Sequence, residues 1–399
     1  MTDQRTKRSL VLDPTFGTGG LVEVSLPGGN YGALIAVTPS RRIIAAGLSP
    51  GSSHSITLVR FDQRGALDPT FGVEGVAVIE LSDALEHMLY HCVALPDERV
   101  VLIGTRKVSN MIAQDYFFSC VGADGALDGS FGSGGTTIIA PYNRVFHVFS
   151  ATLQSDGKVL AHGEGVQWPE GYTANALMRL DHDGRPDPTF GEDGVHFVER
   201  GLRLPALVVR PDGRILMGGW SDSHAQVRGY DAAGQTDVSF GDGGVADLPV
   251  PGGESMTTES LALQADGRVI VQGQISPSDN DKRRSFVMKL RPHGERDHTF
   301  NRGEPLALSW TPGRAVLADA AGRVFALARD EYVDRAQLTV LTPDGFVEQP
   351  VFTLPFPGVE YHFPANQLLE HLPGTLLVNA QVIDPDTQVH RLMIARLLI

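Results

Sequence analysis

Imidazole, phenol, indole and guanidinium groups recur along this chain in short polar stretches. The set with chemical potential is Tyr31, His87, Tyr90, Arg144, His147, Arg314, Tyr361 and His362, with Glu86, His91 and Arg203 among them. His162 stands inside an apolar run, "GKVLAHG", and Trp168 and Trp220 follow such runs. Histidine exchanges protons near neutral pH, so these groups could support acid–base chemistry. Arginine and tyrosine beside them could hold an anionic or sugar-like ligand, and tryptophan could stack on a sugar or peptide. Scattered along the chain they do nothing. The elements that must gather them therefore decide the question.

Those elements announce themselves by repetition. "LDPTFGTGG" at Leu12 returns as "LDPTFGVEG" at Leu67, "LDGSFGSGG" at Leu127 and "PDPTFGEDG" at Pro186. "TDVSFGDGG" at Thr236 and "RDHTFNRGE" at Arg296 follow, with a degenerate "LTPDGFVEQPVF" ending at Phe352. The motif phenylalanines Phe16, Phe71, Phe131, Phe190, Phe240 and Phe300 are 55, 60, 59, 50 and 60 residues apart. A period of this size signals a propeller or solenoid. The glycines do not cradle a phosphate. No Lys-Ser/Thr pair follows them, and "LVEVSL" after the first copy reads as a strand, not a helix. Asp and Pro suit the first two positions of a turn and Gly permits positive φ, so the motif reads as a corner. Its phenylalanine drops between blades.

The interior of a repeat gives the strands. "SATLQSDGKVLAHG" reads as strand, Asp-Gly turn, strand; "ALMRLDHDGRPDPTFG" as strand, turn, corner; "GVHFVE" as a fourth strand. Four antiparallel strands make one propeller blade. The second strand appears seven times, starting at Arg41, Glu98, Gly157, Gly213, Gly267, Gly322 and Gly374, and is apolar on both faces. Blades stacked face to face bury both sides of a strand. The reading is all-β: a seven-bladed β-propeller, one domain over 1–399. Its blades span about 30–81, 87–140, 146–199, 203–250, 258–309, 313–355 and 361–399. The chain ends on a third strand and begins with a corner and a fourth. Residues 21–26 should therefore complete the last blade and remove its exposed edge.

The repeated "LDPTFG" with a period near sixty resembles the delta-60 repeat of bacterial proteins, and the blade grammar is similar to that of NHL propellers. The resemblance covers nearly the whole chain. "LDGSFG", "TDVSFG", "RDHTFN" and the seventh copy depart from it. It implies a β-propeller fold and carries no catalytic residue, substrate or cofactor.

Repetition is also an internal control, because a polar residue unique to one blade needs its own reason. One second-strand position reads Ala46, Ile103, His162, Gly218, Gln272, Leu327 and Asn379. Its polar copies are expected to be hydrogen-bonded groups between blades. The polar stretches holding Tyr31, His87, Tyr90, Arg144, His147, Arg314, Tyr361 and His362 read as loops entering first strands. They would ring the mouth of a central channel. Trp168 and Trp220 read as second-to-third-strand loops on the same face. "EHMLYH" places His87 and His91 four apart, a metal spacing on a helix but not on a strand, and "DHDG" from Asp181 lacks the acidic positions of a calcium loop. No metal or cofactor is expected. Cys92 and Cys120 fall on the first and third strands of one blade, roughly 9–10 Å apart and beyond disulfide reach.

Composition narrows the partners. Lys plus Arg is 33 and Asp plus Glu is 47, giving a net charge of −14, which repels nucleic acid and anionic lipid. No run of about 18 apolar residues exists to span a membrane as a helix. No apolar leader precedes the first repeat, so the expected location is cytoplasmic, or extracytoplasmic if the natural start lies further upstream. The expected role is a monomeric, non-catalytic binding propeller holding a protein partner or a small polar ligand. The alternative is a lyase or hydrolase with a His/Arg/Tyr site at the channel mouth.

Overall fold

The computed structural model describes residues 10–24, 34–49, 54–81, 84–108, 114–141, 144–167, 172–198, 201–221, 224–249, 254–276, 283–308, 311–330, 335–348, 351–354, 356, 367–383 and 390–399. Two short strands open the chain, β1 (Val11–Leu12) and β2 (Leu21–Val24). Four sheets follow. Blade 1 holds β3 (Leu34–Val37), β4 (Ile43–Leu48), β5 (Ser55–Phe61) and β6 (Val76–Glu80). Blade 2 holds β7 (Glu86–Ala94), β8 (Val100–Lys107), β9 (Gln114–Val121) and β10 (Thr136–Ile139). Blade 3 holds β11 (Arg144–Leu153), β12 (Val159–Gln167), β13 (Tyr172–Leu180) and β14 (Val195–Val198). Blade 4 holds β15 (Arg203–Val209), β16 (Ile215–Ser221), β17 (His224–Tyr230) and β18 (Val245–Asp247). These four form one compact unit, residues 24–248.

The second unit joins residues 1–23 to 249–399. Blade 5 holds β19 (Ser255–Leu263), β20 (Val269–Ser276), β21 (Arg284–Leu290) and β22 (Leu306–Leu308). Blade 6 holds β23 (Thr311–Ala318), β24 (Val324–Asp330), β25 (Arg335–Leu341) and β26 (Phe352–Thr353). Blade 7 has β27 (Gln367–Glu370), β28 (Thr375–Ile383) and β29 (His390–Leu398), and both N-terminal strands pair with β29. The sheets are antiparallel with sequential neighbours. The fold is a seven-bladed β-propeller, and Leu21–Val24 pairs with β29 of the last blade as the sequence implies, residues 25 and 26 lying outside the described residues.

The corner is built the same way wherever the motif is complete. Asp187 accepts hydrogen bonds from the Thr189 backbone N–H at 3.0 Å and its hydroxyl at 2.8 Å. Arg179, at the end of β13, donates to Asp187 at 2.7 Å, and Lys158 stands 3.0 Å away. The Arg179 guanidinium lies 4.3 Å over the Phe190 ring and reaches the Ala232 carbonyl of the next blade at 2.5 Å. Blade 1 repeats the set with Asp68, Thr70, Arg60, Arg42 and Phe71, its arginine reaching the Ala123 carbonyl. Blade 7 repeats it across the chain ends, with Arg396 on Asp13 at 2.8 Å and over Phe16 at 4.7 Å. Gly191 sits at φ 57°, where an added Cβ would stand 2.0 Å from the Val195 carbonyl oxygen, so this copy of the turn requires glycine; blade 5 places Asn301 there at φ 42°.

Each motif phenylalanine is buried, worth roughly 1.5–3 kcal/mol apiece. Phe190 packs on Gly234 and Phe131 on Gly184, the turn glycines of the following blades. A Cβ on Gly184 would stand 2.5 Å from the Phe131 ring. The degenerate copy in blade 6 keeps only the backbone part: the Glu348 N–H donates to the Val340 carbonyl at 2.9 Å, as Asp297 does to Lys289 at 3.0 Å.

The first strands are longer than the sequence suggests. Glu86, His87, Tyr90 and His91 lie within β7, Arg144 and His147 within β11, Arg203 within β15 and Arg314 within β23, not in loops. Trp220 lies within β16, not in the loop after it. The physical reason is a register shift in each of these four first strands, between Leu89 and His91, Val145 and His147, Val148 and Ser150, Arg203 and Ala206, and Pro312 and Val316. A bulge breaks the alternation by which a strand is recognised.

The corner carboxylates tie stability to pH. Burial works against ionisation of Asp187, but the Thr189 bonds, Lys158 and Arg179 outweigh it and hold the carboxyl well below the ordinary range. A depressed carboxylate stabilises the fold above its unfolded pKa of about 3.9 and loses that contribution as pH falls toward the folded value. Asp187→Ala is expected to cost about 3 kcal/mol at neutral pH. In denaturant melts the gap from wild type should stay constant down to about pH 4 and narrow only on further acidification.

Candidate functional site

The residues that gather most closely lie on the first and second strands of blades 3 and 4. His147 and Glu164 are register partners on β11 and β12, and Arg203 and Trp220 are register partners on β15 and β16. Glu164 and Trp220 occupy the same repeat position in adjacent blades, each two residues past the position held by His162 and Gly218. His147 and Arg203 share the facing first-strand position.

Glu164 is buried, with 4% of its side chain exposed, whereas 60% of Arg203 is exposed. Arg203 Nη2 stands 3.9 Å from Glu164 Oε2, an ion-pair distance too long for a hydrogen bond. Burial raises the Glu164 pKa, and Arg203 only partly offsets it. The guanidinium also lies 6.0 Å over the half-buried Trp220 ring. A buried carboxyl whose pKa is raised, an accessible planar cation and an indole thus stand side by side. The first can hydrogen-bond a hydroxyl, the second can fork onto a carboxylate, and the third offers an apolar face.

Behind this edge runs a chain of rings. Tyr90 donates to the Phe146 carbonyl at 3.3 Å and meets His147 edge-on at 6.0 Å. Phe149 is the shared neighbour of His147, at 5.9 Å, and of His162, stacked at 5.6 Å. His162 is fully buried. Its Nε2 pairs with Asn175 Oδ1 at 3.2 Å, and Asn175 Nδ2 donates to the Leu202 carbonyl at 2.8 Å, next to Arg203. Among the described residues His162 Nδ1 has no hydrogen-bond partner. His91, partly buried, bonds to the backbone of Val148 and Phe149, and burial holds its pKa down at about 4 despite those bonds. His162 and Asn175 therefore support the strand that presents Arg203.

The sequence-derived set divides accordingly. Tyr90, His147, His162 and Trp220 come together with Arg203. His87 belongs to a separate buried cluster, 5.3 Å from Phe117 and 6.3 Å from His54. Tyr31, Trp168, Tyr361 and His362 lie outside the described residues, as do the side chains of Arg144 and Arg314. The other polar second-strand copies are structural as well. Gln272 donates to the Leu327 carbonyl of the next blade at 2.7 Å, and Asn379 pairs with Gln367. Cys92 and Cys120 are buried free thiols, and burial pushes both up to about 12. Among the described residues no group of three His, Cys, Asp or Glu could hold a metal ion, and no helix is long and apolar enough to cross a membrane. Sequence reasoning missed Glu164. The blade-to-blade comparison that singled out His162 finds it two positions later, where Leu48, Thr105, Trp220, Gln274, Arg329 and Gln381 stand in the other blades.

His162 sets a pH dependence. Burial lowers its pKa to about 3, against the Asn175 hydrogen bond. Between its unfolded pKa and that value the unfolded chain binds a proton that the folded chain refuses, so this residue makes stability fall with acidification. A His162→Gln variant should lack that slope. Relative to wild type it should gain about 2 kcal/mol between about pH 7 and about pH 5, read from chemical denaturation at each pH.

Comparison with known proteins agrees with the fold. Residues 154–190 and 264–300 match the family model described as a domain of unknown function (DUF5122) beta-propeller. Both segments run from the turn before a second strand to a motif phenylalanine. None of the curated proteins compared matches. Among solved structures, the polysaccharide lyase Uly1 superposes with a TM-score of 0.53 at 11% identity, over 92% of this chain and 90% of that one. The β-propeller domain of the Trilobed protease from Pyrococcus furiosus gives 0.48 at 10% identity, over 91% and 93%. Pyrococcus horikoshii acylaminoacyl peptidase gives 0.48 at 10% identity, over 88% of this chain and 49% of that one, so the chain spans about half of that peptidase. The likeness to the polysaccharide lyase is one of fold alone.

Proposed function

We propose that this protein is a non-catalytic binding propeller whose blade 3–blade 4 edge holds a small polar ligand bearing a carboxylate. The observation that carries the reading is the pairing of buried Glu164 with exposed Arg203 at 3.9 Å beside Trp220. Arg203 would take the ligand carboxylate through its planar fork, Trp220 would receive an apolar face such as that of a sugar ring, and Glu164 would hydrogen-bond a ligand hydroxyl. The DUF5122 match and the delta-60 resemblance support a propeller scaffold and leave the ligand to the site. One observation favours a second, enzymatic reading: His147 faces Glu164 across the strands, which puts an exposed base beside a carboxyl with raised pKa. The fold likeness to a polysaccharide lyase is compatible with that reading and does not argue for it.

Calorimetric titration with glucuronate and with glucose tests the binding. Glucuronate should bind at least about tenfold more tightly, and Arg203→Met should abolish the difference, a loss of about 1.4 kcal/mol or more. Equal affinity for the two sugars, or a difference that survives in Arg203→Met, would overturn the proposal. Release of reducing ends from polysaccharides that disappears in Glu164→Gln while glucuronate binding persists would establish the enzymatic reading instead.

A further inference from the structure

Comparing the corners with one another reveals a second feature, independent of the Arg203 edge. The third-strand cation over the motif phenylalanine is Arg60 in blade 1, Arg179 in blade 3, Lys289 in blade 5 and Arg396 in blade 7, at 4.3–5.1 Å from the ring. Blade 4 has Gly229 there and recruits Arg210 from the turn before its second strand, 5.8 Å over Phe240. Blade 2 has neither arrangement. Cys120 holds the strand position and Leu95 the turn position, and among the described residues no cation lies over Phe131.

A cavity of about 140 Å³ lies beside Phe131, lined by Leu95, Asp97, Arg99, Asp181 and His182 among others; Leu95, the counterpart of Arg210, is on its wall, whereas Cys120 lies behind Arg99. The cavity volume is that of roughly five water molecules, enough for a guanidinium and its first methylenes. In blades 1 and 3 the arginine reaches the carbonyl of the second residue in the next blade's turn, Ala123 or Ala232. The corresponding residue for blade 2 is His182, on the cavity wall. Asp97 and His182 are exposed, so the cavity is reached from solvent. Asp128, the corner carboxylate, is met by Arg99 at 2.7 Å, the role Arg42 plays in blade 1. Blade 1 adds Arg60 to that pair, and blade 2 adds nothing. On the cavity wall Asp97 and Asp181 outnumber the single guanidinium of Arg99, which favours a further cation.

We infer that the cavity beside Phe131 is a receptor for the guanidinium group of an external arginine side chain, seated where blades 1, 3 and 7 place an arginine of their own. The incoming guanidinium lies on the Phe131 ring, donates toward the His182 carbonyl and faces the Asp181 side of the cavity. Methylguanidinium is the probe, with methylammonium at equal concentration as the control. Wild-type protein should show a saturable rise in Tm and saturable NMR shifts with the first and not with the second. Free arginine and N-acetyl-arginine amide should bind in the same place, and the tighter of the two distinguishes an amino-acid ligand from a peptide segment. Cys120→Arg fills the cavity from within. Its Tm should rise by about 2 °C, and its methylguanidinium response should weaken at least about tenfold. Leu95→Arg, which copies blade 4, should weaken the response likewise and serves if Cys120→Arg does not fold. The inference is overturned if methylguanidinium acts no differently from methylammonium on wild type, or if its saturable response persists undiminished in a folded variant.

Discussion

The structure depends on an ion pair that is never left alone. In each complete corner a buried aspartate is met by a threonine or serine two residues on and by a cation, so its charge is compensated on several sides. In blades 1, 3 and 7 the same cation covers an aromatic face, and in blades 1 and 3 it also donates to a carbonyl of the following blade; in blade 5 Arg268 meets the aspartate while Lys289 covers the ring and reaches the next blade. Removing charges from water is costly, and a bare pair would return little. The extra hydrogen bonds and the ring contact tip the balance. One side chain thereby closes its own turn and fastens its blade to the next.

Because the corner is a set of parts, it can be assembled in more than one way. Blade 4 replaces the third-strand arginine by a glycine and brings an arginine from the neighbouring turn. Blade 6 drops the aspartate and the motif phenylalanine; Arg323 pairs with Asp319 instead and lies 5.3 Å over Phe325. Blade 2 keeps the carboxylate, its turn arginine Arg99 and the phenylalanine, but among the described residues places no cation over the ring. These departures show which functions of the corner are indispensable. The turn and its backbone bond survive in every described copy, while the source of the positive charge varies.

The blade 3–blade 4 edge applies the same principle with the compensation left incomplete. Glu164 is as enclosed as the corner aspartates but lacks their hydroxyl and backbone donors. Its nearest cation is held at ion-pair distance by an exposed side chain. Burial therefore wins, and its pKa moves up where theirs move down. Fully buried His162 and Asn175 hold the backbone beside it in place. The contrast between a carboxylate satisfied by its own fold and one left partly unsatisfied separates scaffold from candidate site.

How much of this was legible in the sequence follows from the range of each interaction. The corners were legible because their chemistry is local: Asp and Thr two apart, Pro before them, Gly after, and a phenylalanine that must be buried. The second strands were legible because burial on both faces writes a continuous apolar run. The closing strand was legible because a corner without a blade at one end matched a blade without a corner at the other. The first strands were not. Their bulges interrupt alternation, so Glu86, His147 and Arg203 read as loop residues. Nor could spacing show that the guanidinium of Arg60 ends on the Ala123 carbonyl, that Arg203 comes to Glu164, or that a cavity lies beside Phe131. Those contacts join side chains some forty to sixty residues apart in sequence, across neighbouring blades. Local preference determined the repeating unit, and only packing of one unit on the next decided which charges meet.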